Sequence, residues 1–191
     1  MNYCFECGTP LTRGIPCDDD VERQSCPNCG WIHYDNPRLL VGVHLYHQDK
    51  MFWIKRATEP NKGLWTFPGG FLEQGESLQL AASRELFEET RIQIAPEKLI
   101  PFGLLSLTTM GQVYLSFRCH CDEPYEATLT EEVADWGWFD EANAPWPELA
   151  YSGTIDQVRQ TYQCLRDKTF PIRVGEINKN GIIYNNYQSK A

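Results

Sequence analysis

Two cysteine pairs, Cys4-x-x-Cys7 and Cys26-x-x-Cys29, constrain the first part of the chain more than any other feature. Too few apolar residues lie around them to close a core, so the sulfurs must help to fold the segment. Four thiolates at this spacing can surround one tetrahedral Zn²⁺, each short turn supplying two ligands; two disulfides are the competing arrangement. Zinc is the expectation. Cys17, in GIPCDDD, is an alternative ligand and more simply a bystander on the intervening loop. The triplet Cys119-His120-Cys121 resembles a metal site at first, but on a strand its cysteines share one face and His120 takes the other. With Cys164 they read as core or strand residues.

The small segment spans residues 1–35 and closes at Asn36-Pro37, a boundary signal; residues 36–191 are then one ordinary domain. Within it, RLLVGVHLYH and MFWIKRA are β-rich runs around QDK, a hairpin. TEPNKGLWTFPGGF is a Gly/Pro-rich loop, and Ser77 to about Arg91 is a helix with Ser77 at its N-cap. LIPFGLLSLT, QVYLSFRCHC and VADWGWF are strands, the last preceded by the acidic loop DEPYEATLTEE. TIDQVRQTYQCLRD is an amphipathic helix, and FPIRVGEINKNGIIY a short hairpin around NKNG. Elements alternate without a regular βαβ repeat, which predicts an α+β fold with a mixed sheet. The net charge of -9 argues against a nucleic-acid partner and leaves room for a small anionic substrate if cations invert the local field. There is no apolar run of membrane length and no basic-then-apolar leader, so a cytoplasmic protein with no membrane partner is expected.

The stretch RELFEET crowds Glu85, Glu88 and Glu89 onto a little more than one helical turn. At about 100° per residue, Glu85 and Glu89 share the stripe of Leu78 and Ala82, while Leu80 and Phe87 face the opposite way. That pattern predicts a helix packed on two sides with its carboxylates in a cleft. Like charges at these spacings repel unless a cation sits among them, and oxygen-only ligands suit Mg²⁺ or Mn²⁺. An exposed acidic helix end with repulsion tolerated is the other reading, and the helix alone does not separate the two.

The longer stretch GGFLEQGESLQLAASRELFEETRI resembles the Nudix box: glycine, five residues, glutamate, seven residues, then Arg-Glu-apolar-x-Glu-Glu. The matching positions are Gly70, Glu76, Arg84, Glu85, Leu86, Glu88 and Glu89, with Ile92 as the last apolar one. The resemblance implies a Nudix α/β/α sandwich preceded by a zinc ribbon. It also implies hydrolysis of nucleoside diphosphates linked to another moiety, with Mg²⁺ or Mn²⁺ on Glu85, Glu88 and Glu89. Gly69 and Gly70 would admit backbone to the site, and Glu76 would partner Arg84 from outside it. Nudix enzymes draw their general base from different places; Glu131, Glu132 and Asp135 are candidates, with Glu132 preferred. One position departs from the box, because Arg91 stands where glycine would permit a left-handed helix exit. It is an exposed cation complementing the helix dipole or a phosphate clamp, the first being preferred.

A ribbon ahead of a Nudix domain resembles two groups. The NADH pyrophosphatases carry SQPWPFPxS after the box, a marker missing from PFGLLSLTTMGQVYLSF. The zinc-ribbon FAD and ADP-ribose pyrophosphatases are closer, through NPRLLVG, GLWTFPGGFLEQGES, GQVYLSF, LAYS and GEINKNG. That resemblance implies a small nucleotide substrate, AMP as a product and a homodimer. Phe52, Trp53, Trp65 and Tyr114 are candidates to stack adenine, Trp53 first, with core packing the competing role. A non-catalytic Nudix nucleotide-binding regulator is the alternative of another class.

Overall fold

The computed structural model describes residues 2–178 and 181–185 and divides into two compact units, Met1–Pro37 and Arg38–Ala191. The division falls two residues beyond the expected one at 35/36. In the first unit β1 (Thr12–Gly14), β2 (Arg23–Ser25) and β3 (Ile32–His33) form a small antiparallel sheet. Each Cys-x-x-Cys turn is followed by a glycine in the left-handed region, Gly8 at φ 69° and Gly30 at φ 76°. Their N–H groups close the turns on the Cys4 and Cys26 carbonyls, both at 3.0 Å.

The second unit is built on a mixed sheet. Its strands are β4 (Arg38–His47), β5 (Lys50–Arg56), β6 (Trp65–Thr66), β7 (Gly69–Phe71), β8 (Ile100–Leu107), β9 (Gln112–His120), β10 (Val133–Phe139), β11 (Arg173–Asn178) and β12 (Gly181–Asn185). The main order is β10-β5-β4-β9-β8-β11-β12, with β4–β9 and β8–β11 parallel. β4 and β5 meet in the expected hairpin, closed by His47 against Lys50. β11 and β12 also pair as a hairpin, although Lys179 and Asn180 of its NKNG turn lie outside the described residues.

Alternation along β4 sends Val41, Val43 and Leu45 to one face and Gly42, His44 and Tyr46 to the other. The first set packs with Ala81, Ala82 and Leu86 of α1 (Leu78–Thr90). Against the opposite face, Met51, Trp53 and Trp65 pack with Val158, Tyr162 and Leu165 of α2 (Ile155–Asp167). The result is the α/β/α sandwich expected of the family. Cys119 and Cys121 are buried, Cys121 and Cys119 both joining the α1-side core, while His120 is exposed. No helix among the described residues is long and apolar enough to cross a membrane.

Three sequence expectations need correction. Trp53 cannot stack on a substrate: it is fully buried, and its indole N–H donates to the Tyr162 hydroxyl at 3.1 Å. Phe52 and Trp65 are core residues too. Helix α1 is packed on one side only, because Leu80 and Phe87 are 48% and 42% exposed. Glu89 occupies the buried stripe instead, at 6% exposure, where a leucine would ordinarily stand. The Gly/Pro-rich loop contains β6 and β7, too short to show any alternation in sequence and held by pairing to β5 and β4.

His44 carries a pH dependence. It is buried against Phe67 and Phe102, and neither ring nitrogen has a hydrogen-bond partner among the described residues. Burial pushes its pKa down from 6.5 to about 3. The folded value lies below the unfolded one, so its stability contribution is complete above pH 6.5 and is lost as pH falls toward 3. The steepest slope is about 1.4 kcal/mol per pH unit. His44→Leu is expected to unfold at higher urea than wild type, with the gap wider at pH 5 than at pH 7. A gap that stays constant with pH would refute this.

Candidate active site

Strand β7 brings the glycines to the helix. Gly69 and Gly70 pair with Gly42 and Val41, and Leu72 and Val43 extend the contact through Leu39 and Pro68. A side chain at Gly69 would meet the Val41 carbonyl at 2.2 Å, and one at Gly70 would meet the Glu85 carboxylate at 2.4 Å. Glycine is needed here because backbone and carboxylate approach too closely for any Cβ.

Ser77 caps α1 by accepting the Leu80 N–H at 3.3 Å. Arg84 then organises the face above β7. Its Nε and Nη2 donate to the two oxygens of Glu76 at 3.0 and 2.7 Å, a bidentate pair. Nη1 donates to Glu85 Oε1 at 2.8 Å and to Glu88 Oε2 at 3.0 Å, and Nη2 also reaches the Phe71 carbonyl at 3.1 Å. The charge-assisted bonds from Arg84 hold Glu76 below the usual carboxylate range. Glu89 is fixed separately, accepting the Gly69 N–H through Oε2 at 2.8 Å.

Each of the three helix carboxylates thus has one oxygen held by the protein. Glu85 Oε2, Glu88 Oε1 and Glu89 Oε1 make no hydrogen bond with a described residue. Burial raises the pKa of Glu85 and pushes that of Glu89 up to about 8, with the Gly69 N–H opposing the latter. Clustered, partly desolvated carboxylates with free oxygens are a donor set that a hard cation fits. The arrangement is open: only the four cysteines, among the described residues, bring three or more candidate ligand atoms within 4.8 Å of one another. A site completed by substrate oxygens and water has this character.

The segment before β10 closes the other side. Thr128 N–H donates to the Thr90 carbonyl at 2.9 Å, and Thr130 Oγ1 donates to the Glu89 carbonyl at 3.1 Å. These bonds satisfy carbonyls that the helix end leaves open. They also bring Glu132 near enough for its charge to raise the pKa values of both Glu85 and Glu89. Glu88, Arg91, Thr130, Glu131 and Glu132 line a cleft of about 610 Å³. Asp135 is on β10, its carboxylate accepting the Trp136 N–H at 2.8 Å. A cleft of similar size elsewhere, about 620 Å³, is lined by Asp49, Asp140, Glu141, Arg159 and Arg166, with Glu141 paired to both arginines.

Two contributors escaped the sequence reading. Arg56 ends β5 and lies close enough for its charge to oppose the rise in Glu89. Its signal was a basic pair ending an apolar strand. Tyr114, considered only as a stacking ring, places its hydroxyl over Gly42, where an added Cβ would lie 1.9 Å away. Nothing in the spacing of β4 and β9 announces that contact.

In the first unit the Cys4–Cys29, Cys7–Cys26 and Cys7–Cys29 sulfurs are 3.6, 3.5 and 3.6 Å apart. A tetrahedron with Zn–S bonds of about 2.3 Å has edges of about 3.8 Å. The quartet therefore fits one zinc-sized ion, and Cys17 lies outside it, exposed. Cys7 is pulled down to about 6, first by the Thr9 hydroxyl, which favours the thiolate.

Comparison with known proteins gives a family for each part of the chain. The NUDIX domain family matches residues 36–159, and the family described as Nudix N-terminal, a zinc ribbon, matches residues 2–35. The chain is 34% identical over 156 residues to an NAD-capped RNA hydrolase NudC of Haemophilus influenzae, covering 80% of this chain and 56% of that protein. It thus spans a little over half the length of such curated relatives. A MutT-like protein of Streptomyces ambofaciens is 33% identical over 111 residues, with 58% and 69% covered. Among solved structures, a NUDIX hydrolase from Nitrosomonas europaea superposes with a TM-score of 0.84 at 30% identity, covering 94% of this chain and all of that one.

Proposed function

The chain belongs to the Nudix family, and on that premise we propose that it is a divalent-metal-dependent pyrophosphohydrolase. Its substrate is a nucleoside diphosphate linked to another moiety, ADP-ribose or FAD first, and AMP is a product. The observation that carries this reading is the trio Glu85, Glu88 and Glu89, each with one oxygen anchored and one free beside a cleft. Those free oxygens would hold Mg²⁺ or Mn²⁺, which when bound neutralises diphosphate charge and acidifies the attacking water. Arg84 keeps Glu85 and Glu88 aimed, and Glu76 keeps Arg84 in place. Gly69 orients Glu89 through its N–H, and Gly70 leaves room for the Glu85 carboxylate. Glu132, across the cleft, takes the proton from the water as general base. Zn²⁺ on Cys4, Cys7, Cys26 and Cys29 is structural in this reading, and the active assembly is a homodimer.

The Haemophilus relatives are named NAD-capped RNA hydrolases, which supports a second reading in which the substrate carries a nicotinamide dinucleotide, as an RNA cap or free as NADH. A binding protein without turnover is the alternative of another class. One panel separates them: ADP-ribose, FAD, NADH, NAD⁺ and a short NAD-capped RNA, each with Mg²⁺ or Mn²⁺, followed by chromatography for AMP or the corresponding cleaved 5′ end. One substrate well ahead of the others, silenced by chelator, is the expected result. No product from any of them, with the metal demonstrably bound, would overturn the pyrophosphohydrolase.

A further inference from the structure

Arg91 occupies the helix exit in the left-handed conformation that the box glycine would supply, at φ 64° and ψ 9°, its N–H donating to the Phe87 carbonyl at 2.8 Å. For a residue with a Cβ this conformation costs about 1–2 kcal/mol relative to glycine. The fold therefore tolerates arginine here at a loss; Lys168 closes α2 in the same conformation, so what singles out Arg91 is where its side chain lies.

The side chain does nothing in the fold to offset that loss with a salt bridge. Its guanidinium makes no ion pair or hydrogen bond with any described residue, although Glu88, Glu131 and Glu132 line the same cleft. Its ring contact is with Phe87, whose centroid is 5.4 Å from the guanidinium carbon. Phe87 is itself on the exposed face of α1. A ring beneath a guanidinium holds it in place while leaving its donors free. Arg91 is thus a supported cation, unpaired among the described residues, lining the same cleft as the candidate metal-site carboxylate Glu88.

We propose that Arg91 binds a phosphate oxygen of the nucleotide substrate, and so sets how tightly the diphosphate is held more than how fast it is cleaved. The assignment rests on the pyrophosphohydrolase reading of the same site. A planar fork matches phosphate bidentately, and the site otherwise offers the substrate mainly carboxylates. Arg56 and Arg84 already donate to Pro60, Glu76, Glu85 and Glu88.

The test is calorimetric binding of α,β-methylene-ADP, a diphosphate that cannot be cleaved at its bridge, to the full chain in Mg²⁺. Arg91→Gly is expected to weaken Kd about ten-fold, the loss of one charge-assisted contact, and to raise Tm by relieving the backbone. Arg91→Lys should fall between the two. Arg159→Gln, which removes the same charge from the other cleft, should bind as wild type does. With the substrate that turns over, Arg91→Gly should raise KM about ten-fold and leave kcat within about two-fold. A more stable Arg91→Gly with wild-type Kd would overturn the proposal, and so would a wild type that fails to bind the analogue. Wild type that binds it but hydrolyses nothing would sink the pyrophosphohydrolase alone, with Arg91 still judged by Kd.

Discussion

Glu89→Gln is expected to lower kcat on the order of 10²–10³-fold at saturating Mg²⁺ while leaving the protein folded. The substitution keeps the shape and a carbonyl oxygen able to accept the Gly69 N–H, so the local backbone has no reason to move. What it removes is a negative charge that burial already disfavours. The pH profile supplies a second readout. Burial pushes Glu89 from 4.5 up to about 8. Because the folded value exceeds the unfolded one, this group's contribution to the stability of metal-free protein is complete below pH 4.5 and is lost as pH rises toward 8. In chelator at pH 8 the glutamine variant should therefore withstand more urea than wild type, and with Mg²⁺ the order should narrow or reverse. Near-normal turnover by the variant would remove Glu89 from the metal site. Identical pH dependence of both metal-free proteins would show that the buried carboxylate is not the group responsible.

Cys26→Ser is expected to release the bound metal and to unfold residues 1–37 while residues 38–191 persist. Cys26 is 3% exposed and anchors the second turn through the Cys29 N–H to its sulfur at 3.5 Å. The first unit has three strands of only three, three and two residues, far too little sheet to stand alone. Its folding free energy is then expected to come largely from a bound ion; structural zinc supplies about 10–16 kcal/mol in comparable small domains. Limited proteolysis with metal analysis reads both halves. Cleavage confined to the first unit, with zinc falling from one ion per chain to none, is the expected pattern. A first unit that stays protected after metal loss would mean that packing or disulfides hold it, and resistance that disappears only with a reductant would identify the disulfides.

The amino-acid sequence determined every feature that depends on neighbours along the chain. The Cys-x-x-Cys turns, the Ser77 cap, the β4–β5 hairpin and the Glu85, Glu88, Glu89 grouping all follow from short-range spacing. Arg84 and Glu76 lie eight residues apart, but the box motif already linked them. The tertiary structure decided what long-range contacts fix. Trp53 looked available for a ligand because periodicity on a strand does not say which face is covered, and α2 covers it more than a hundred residues later through Tyr162. Phe87 looked buried because it is apolar, yet it stays 42% exposed on α1. Arg91 stands where glycine would ease a left-handed exit, and the fold holds it in that conformation all the same, its N–H on the Phe87 carbonyl. Only the folded chain brings Gly69 to Glu89 and Glu132 near both Glu85 and Glu89. Local spacing sets which groups can do chemistry; burial and strand pairing set which oxygens are left free to do it.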